Sequence, residues 1–321
     1  MFLVRKIFAA CVTMVVAGAL SGGAASAEKL KIVATTGMVA DAVRAIAGER
    51  AQVQALMGPG VDPHLYRQTR SDVAALARAD MIFFNGLYLE AQLEELLAEL
   101  AARKPVVAIA ESVPPERRLA HDDYKDKFDP HIWMDPALWS QAAAGVLDAL
   151  IAKDPAGQAA YRANAAAYLG EIERVAAYAR TALGSVPQDA RVLVTAHDAF
   201  NYFGRAYGFE VAGVQGMSTE SEAGLQQIER IVETLVARRI GAIFVESSVS
   251  DRNVKALIEG AAARGHTVRI GGELFSDAMG PEGSYEGTYL GMIDHNATVI
   301  ARALGGQAPE KGMDGKLGAG S

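Results

Sequence analysis

Two of the six histidines in this 321-residue chain follow the same dipeptide: Asp62-Pro63-His64 in GPGVDPHLY and Asp129-Pro130-His131 in FDPHIWMDP. Proline fixes its own φ, so each imidazole leaves a stiff stretch of backbone and loses little freedom on binding. His197 ends the apolar run RVLVTAH, and Asp277 lies in GGELFSDAMG, just beyond the run HTVRIGG. Three imidazoles and a carboxylate suit a divalent transition metal, and four protein ligands make a closed tetrahedral zinc site. The one cysteine, Cys11, is close to the N-terminus, so thiolates do not enter the ligand set. Asp62 and Asp129 have two readings: hydrogen bonds that orient the imidazoles, or Asx turns.

The other histidines attract less interest. His121 lies in a polar loop and reads as solvated, with weak metal capture as the sharper alternative. His266 reads as a turn residue, and His295 as a mid-helix residue that packs or faces solvent. Trp133 and Met134 read as core. The acids of GVQGMSTESEAG read as an N-terminal helix cap. Glu246, at the end of GAIFVESS, reads as a core-edge carboxylate with a local hydrogen bond.

These residues need a frame. In the first half LKIVATTG, AQVQALM, MIFFNG and PVVAIA are short apolar runs that alternate with helical patterns. In the second half RVLVTAH, FEVAGV, GAIFVE and HTVRIGG repeat the theme. Strands alternating with helices imply α/β architecture, with a mostly parallel sheet covered by helices in each half. From Gln158 to Leu183 the apolar positions Tyr161, Ala165, Tyr168, Ile172, Val175, Ala179 and Leu183 recur at helical spacing, which predicts one long, stiff connecting helix. The expected organisation is a signal segment at 1–27, a first lobe at 28–155, the connector at 156–184, a second lobe at 185–305, and a disordered, Gly-rich tail at 306–321. Open α/β sheets bind ligands at the carboxyl ends of their strands. All four candidate ligands fall at or just past such ends, two per half, which predicts a metal site in the cleft between the lobes.

The N-terminus has Arg5 and Lys6, an apolar run to Leu20 and the small-residue sequence Ala25-Ser26-Ala27. That is the pattern of a cleaved secretory signal, with an apolar run too short for a comfortable membrane span. Cys11 comes before the apolar run is complete, which argues against a lipid-anchoring site there. Cleavage removes two positive charges and takes the formal net charge from −7 to −9. Such acidity disfavours nucleic acid and anionic membranes as partners and suits attraction of cations.

The segments VATTGMVADAV, DPHLY, FDPHIWMDPALWS, AHDAFNYFGRAYGF, QGMSTESEAG, IFVESS and GGELFSDAMG occur in this order along the chain. On them the chain resembles the cluster A-I metal-binding receptors of bacterial ABC importers, most closely the TroA type. The resemblance implies two α/β lobes, a rigid connecting helix and one metal ion buried between the lobes. The implied ligands are His64 and His131 from the first lobe and His197 and Asp277 from the second. It also implies that position 197 bears on the metal. Glutamate there leans to manganese, whereas histidine occurs in zinc receptors and in the TroA type, associated with both metals. Dedicated zinc receptors often carry a long His- and Asp-rich loop, and here the region from Glu111 to Phe128 is short.

The expectation is therefore a periplasmic, non-enzymatic, monomeric receptor that takes Zn2+, with Mn2+ or iron as the alternative cargo. It would deliver the ion to an inner-membrane permease driven by a cytoplasmic ATPase, with a metal chaperone as a further conceivable partner. A zinc hydrolase, with Glu220 or Glu246 as general base, is the rival from another class. A receptor of the same fold for an organic ligand is the third reading.

Overall fold

The computed structural model describes residues 28–121 and 124–318. The expected signal segment, with Cys11, lies outside the described residues.

The first half builds a four-stranded, all-parallel sheet in the order β2-β1-β3-β4. Its strands are β1 (Leu30–Ala34), β2 (Ala51–Ala55), β3 (Met81–Phe84) and β4 (Val106–Ala108). Side chains alternate across the sheet. Ile32 and Ala34 pack with helix α1 (Gly37–Ala47), while Val33 and Ile82 pack with α2 (Arg70–Arg78) and α3 (Glu94–Ala101) on the opposite face. Helix α4 (Pro136–Lys153) starts at the second Asp-Pro of FDPHIWMDP. The Asp135 carboxylate accepts from the Ala137 N–H, and Pro136 takes the first helical position, where its missing N–H costs nothing.

The connector is a single 27-residue helix, α5 (Gln158–Gly184), and all seven apolar positions that predict it are buried. Beyond it come β5 (Val192–His197), α6 (Asn201–Tyr207), β6 (Glu210–Gln215), α7 (Leu225–Ala237), β7 (Ala242–Glu246), α8 (Arg252–Ala263), β8 (Arg269–Leu274) and α9 (Tyr289–Ala303). The second lobe differs from one continuous ladder: β5 pairs with β6 and β7 with β8, both in parallel, and β5 lies beside β7. At that seam the His197 N–H donates to the Glu246 carboxylate at 2.8 Å.

The tail is a correction. Its composition predicts disorder, yet residues 306–318 lie along the second lobe. The Met313 N–H donates to Asp294 at 3.0 Å, Arg174 on α5 pairs with Asp314 at 3.1 Å, and Leu317 is 3% exposed. Leu317 is buried and Met313 packs half-buried against the core, and such local anchoring outweighs an average over a polar stretch.

Candidate metal centre

His64 stands in the loop after β2, and His131 directly before the short turn Ile132–Met134. His197 is the last residue of β5, and Asp277 lies three residues past β8. All four are buried, and one ligand atom from each lies within 4.8 Å of the others. Asp277 Oδ2 is 3.1 Å from His197 Nε2 and 3.6 Å from His64 Nε2, and Oδ1 is 3.4 Å from His131 Nε2. The Nε2 atoms of His64 and His131 are 3.3 Å apart. In a tetrahedral zinc site with bonds of about 2.0–2.1 Å, neighbouring donor atoms stand roughly 3.3 Å apart. The three Asp277–imidazole distances and the His64–His131 distance, 3.1 to 3.6 Å, lie around that value. Both Asp277 oxygens and His197 Nε2 are buried without an aligned hydrogen bond, an arrangement that costs free energy unless a cation completes it. Because both carboxylate oxygens face the imidazoles, Asp277 can ligate through one or through two.

Carboxylates fix two of the rings from behind. His131 Nδ1 lies 2.7 Å from Asp129 Oδ1, and His197 Nδ1 lies 2.5 Å from Glu246 Oε2. A proton held at Nδ1 leaves the Nε2 lone pair aimed at the centre, the usual support of a metal-binding imidazole. Asp129 also accepts from the His131 N–H, so both readings of this aspartate hold at once. Asp62 behaves differently. It accepts from the His64 N–H at 2.9 Å and from the Thr219 hydroxyl at 2.5 Å, and it makes the turn without backing the ring. Sequence reading left Glu246 without a part in the centre. Its place at the end of a strand beside His197 was the available signal, but the pairing of β5 with β7 was not.

The charges respond to this setting. Burial pulls His131 down, but Asp129 and Asp277 outweigh it and raise its pKa to about 9. Burial likewise opposes, and Glu246 and Asp277 exceed, a rise of His197 well above the ordinary histidine value. His64, with no carboxylate behind its ring, is pushed by burial down to about 3. Burial raises Asp277, yet the positive imidazoles of His197 and His131 bring it well below the usual carboxylate range.

The His131 loop is held from both lobes. Asn85 donates to the Pro130 carbonyl at 3.1 Å, Tyr202 to the Asp129 carbonyl at 2.9 Å, and Tyr289 to the Trp133 carbonyl at 2.9 Å. The Trp133 indole N–H donates to the Ser276 carbonyl at 2.8 Å, which ties this loop to the residue preceding Asp277. Trp133 is core, as expected, and a cross-link besides. Asn85 is set by a buried carboxylate that sequence reading missed, Glu90. It accepts from the Asn85 and Gly86 N–H groups and from the Thr35 hydroxyl, and so holds Gly86, Leu87 and Tyr88 in left-handed backbone. Two such non-glycine residues cost on the order of 1 kcal/mol or more each, a strain that the Glu90 bonds offset.

Two further expectations need correction. His121 is buried rather than solvated, with its ring 4.8 Å from that of Tyr124. The acids of QGMSTESEAG do not cap α7, whose cap position is Gly224 with no side-chain bond. His266 bonds the Ile240 carbonyl and His295 the Glu273 carbonyl; both lie apart from the four-residue cluster.

The family model for the periplasmic zinc-uptake complex component A (ZnuA) matches residues 32–303. The chain belongs to this family. Within it, the zinc-binding protein TroA of Treponema pallidum is 44% identical over 310 residues, covering 94% of this chain and 99% of the relative. The solved structure of that periplasmic zinc binding protein superposes with a TM-score of 0.84 at 46% identity, over 86% of this chain and 99% of its own. The manganese-binding lipoprotein MntA of Bacillus subtilis is 42% identical over 287 residues, 89% of this chain and 94% of the relative. The manganese ABC transporter substrate-binding lipoprotein PsaA of Streptococcus anginosus is 31% identical over 304 residues, 93% and 96% of the two chains. The family brings the two-lobe α/β fold with its long connecting helix; of these relatives, TroA is named for zinc, MntA and PsaA for manganese, and PsaA as the substrate-binding lipoprotein of an ABC transporter.

Proposed function

We propose that the protein is the extracytoplasmic receptor of an ABC importer for divalent metal, taking zinc as its main cargo and manganese as a second. The carrying observation is the convergence of His64, His131, His197 and Asp277, whose ligand atoms lie within 4.8 Å of one another, with buried oxygens and a ring nitrogen left for a cation. Three neutral nitrogens favour zinc over manganese by intrinsic affinity. The carboxylate facing the centre with both oxygens supplies the extra ligation that manganese prefers, and relatives named for each metal support both cargoes. The delivery partner is a membrane permease with its ATPase, as the substrate-binding names of relatives suggest. No helix among the described residues is long and apolar enough to cross a membrane. Several relatives are named lipoproteins, so an anchored form competes with the freely periplasmic one read from the N-terminus.

The hydrolase reading loses its bases. Glu246 is occupied by the His197 N–H and ring, and Glu220 accepts from Gln92 and Tyr124. A catalytic zinc also keeps a position for water, which four protein donors fill. The test is elemental analysis of the purified chain, then competitive titration of the stripped protein with zinc and manganese. One ion per chain is expected, and His197→Ala should weaken zinc by at least about a hundredfold, since it removes a ligand and leaves Glu246 unpaired. Unchanged affinity in that variant would refute the ligand set.

A further inference from the structure

His64 is the ligand whose loop has least support. The stretch from Gly58 to Leu65 is exposed at Gly58, Pro59, Gly60 and Leu65. Its internal bonds are Val61 N–H to the Gly58 carbonyl and His64 N–H to Asp62. Outside the imidazole cluster itself, the hydrogen bond that ties this stretch to the rest of the described residues is the one from Thr219 of the second lobe to Asp62 Oδ2, at 2.5 Å.

Thr219 does not act alone. The next residue, Glu220, accepts from Gln92 and from the Tyr124 hydroxyl, each at 2.8 Å and each on the first lobe. Tyr124 is steadied in turn by the Tyr88 ring, edge-on at 5.2 Å, and Tyr88 belongs to the left-handed stretch held by Glu90. The Glu220 N–H donates to the Ser218 Oγ at 3.3 Å, which closes the local turn. Met217, Ser218 and Thr219 are buried while Glu220 is exposed. A segment that caps no helix therefore spans the cleft, with a part-buried contact at Thr219 and exposed ones at Glu220.

Resting on the metal-receptor reading above, we infer that Thr219 and Glu220 form a latch across the cleft that positions the His64 loop and sets the rate of metal release. The ion leaves when the latch opens and His64 withdraws, while His131, His197 and Asp277 stay in place on their carboxylate and carbonyl supports. Thr219 is the stronger half. Its bond is part-buried and runs to a carboxylate, a class whose loss costs roughly ten- to a hundredfold in an equilibrium. The Glu220 contacts are exposed, so water replaces them at little cost.

The test is stopped-flow transfer of zinc from the loaded protein to excess chelating dye. Thr219→Val should release zinc about tenfold faster or more, and Thr219→Ser, which keeps the hydroxyl, should stay within roughly twofold of the parent. Glu220→Gln should accelerate release by less than about threefold. Metal stoichiometry and the melting temperature of the metal-free protein should not change in Thr219→Val, which separates a positioning role from a general loss of folding. Release at the parent rate in Thr219→Val, with zinc still bound one per chain, would overturn the latch and leave the receptor reading intact. A parent protein that binds no zinc or manganese would overturn both.

Discussion

Asp129 and Asp62 each stand two residues before a histidine in the same triplet, yet one grips the ring and the other only the backbone. The difference lies in what each loop meets. The His131 loop is crossed by Asn85, Tyr202 and Tyr289, which fix its carbonyls and turn Asp129 inward. The His64 loop meets a single hydroxyl, Thr219, and that bond turns the Asp62 carboxylate away from the imidazole. On the proposed reading, the shared motif delivers one fixed ligand and one removable ligand. A metal carrier needs both, because a site made only of the first kind would hold its cargo too long.

The sharpest way to break this contrast is to remove each aspartate. Asp129→Ala should weaken zinc by about ten- to a hundredfold, the range expected when a metal-bound imidazole loses its carboxylate. Asp62→Ala should act chiefly on release, hastening it about tenfold or more as in Thr219→Val because it removes the same bond, and should weaken zinc less than Asp129→Ala does, since no ring loses a supporting carboxylate. Equal losses in the two titrations would erase the distinction.

Proton exchange comes next in size. Without metal, His131 is raised to about 9, so it carries a proton at neutral pH that an arriving ion must displace. His64, lowered to about 3, is already neutral and gives up none. Zinc affinity should accordingly rise with pH from 6 towards 9, by about tenfold per pH unit for each proton released. Calorimetry in buffers of different ionisation enthalpy counts those protons, and no release at pH 7 would contradict the His131 value. Stability of the metal-free protein follows the opposite course. A raised histidine contributes fully below its unfolded value of 6.5, and its contribution is lost as pH passes through about 9.

Trp133→Phe removes the indole bond to the Ser276 carbonyl and keeps most of the packing. It should lower unfolding stability by about 1 kcal/mol in urea titrations, with zinc affinity changing less than in Asp129→Ala. The smallest effect concerns overall shape. Solution scattering of metal-free and metal-loaded protein should give nearly the same radius of gyration, and a wide closure on loading would show that lobes rather than loops move.

Much of this was legible in the residues. The alternation of apolar runs with helical spacing announces the two halves, and the seven-position stripe from Tyr161 to Leu183 announces the connector. His64, His197 and Asp277 stand out because each ends or follows a strand; His131, expected at such an end too, lies well beyond β4 on the loop into α4 and stands out by its triplet alone. What could not be read is what depends on distant partners. Nothing within the two triplets separates Asp62 from Asp129, because their fates are decided by Thr219 and Tyr202, far along the chain. Glu246 became a partner of His197 only once β5 and β7 lay side by side. The tail was misread because composition averages over residues, whereas Met313 and Leu317 act one at a time.

Helix α5 has a mechanical consequence. Its 27 residues span about 40 Å. Near its start Asn164 donates to the Ile46 carbonyl and Tyr168 to Asp41, both on α1. Further along, the Tyr178 hydroxyl shares a 2.7 Å hydrogen bond with that of Thr298 on α9. The helix is thus a beam clamped to each lobe, and turning one lobe against the other would have to bend the beam or shear a clamp. Such a frame stores little travel. On the proposed reading, a partner that distinguishes the loaded protein would read the loops at the cleft mouth rather than a wide swing of the lobes.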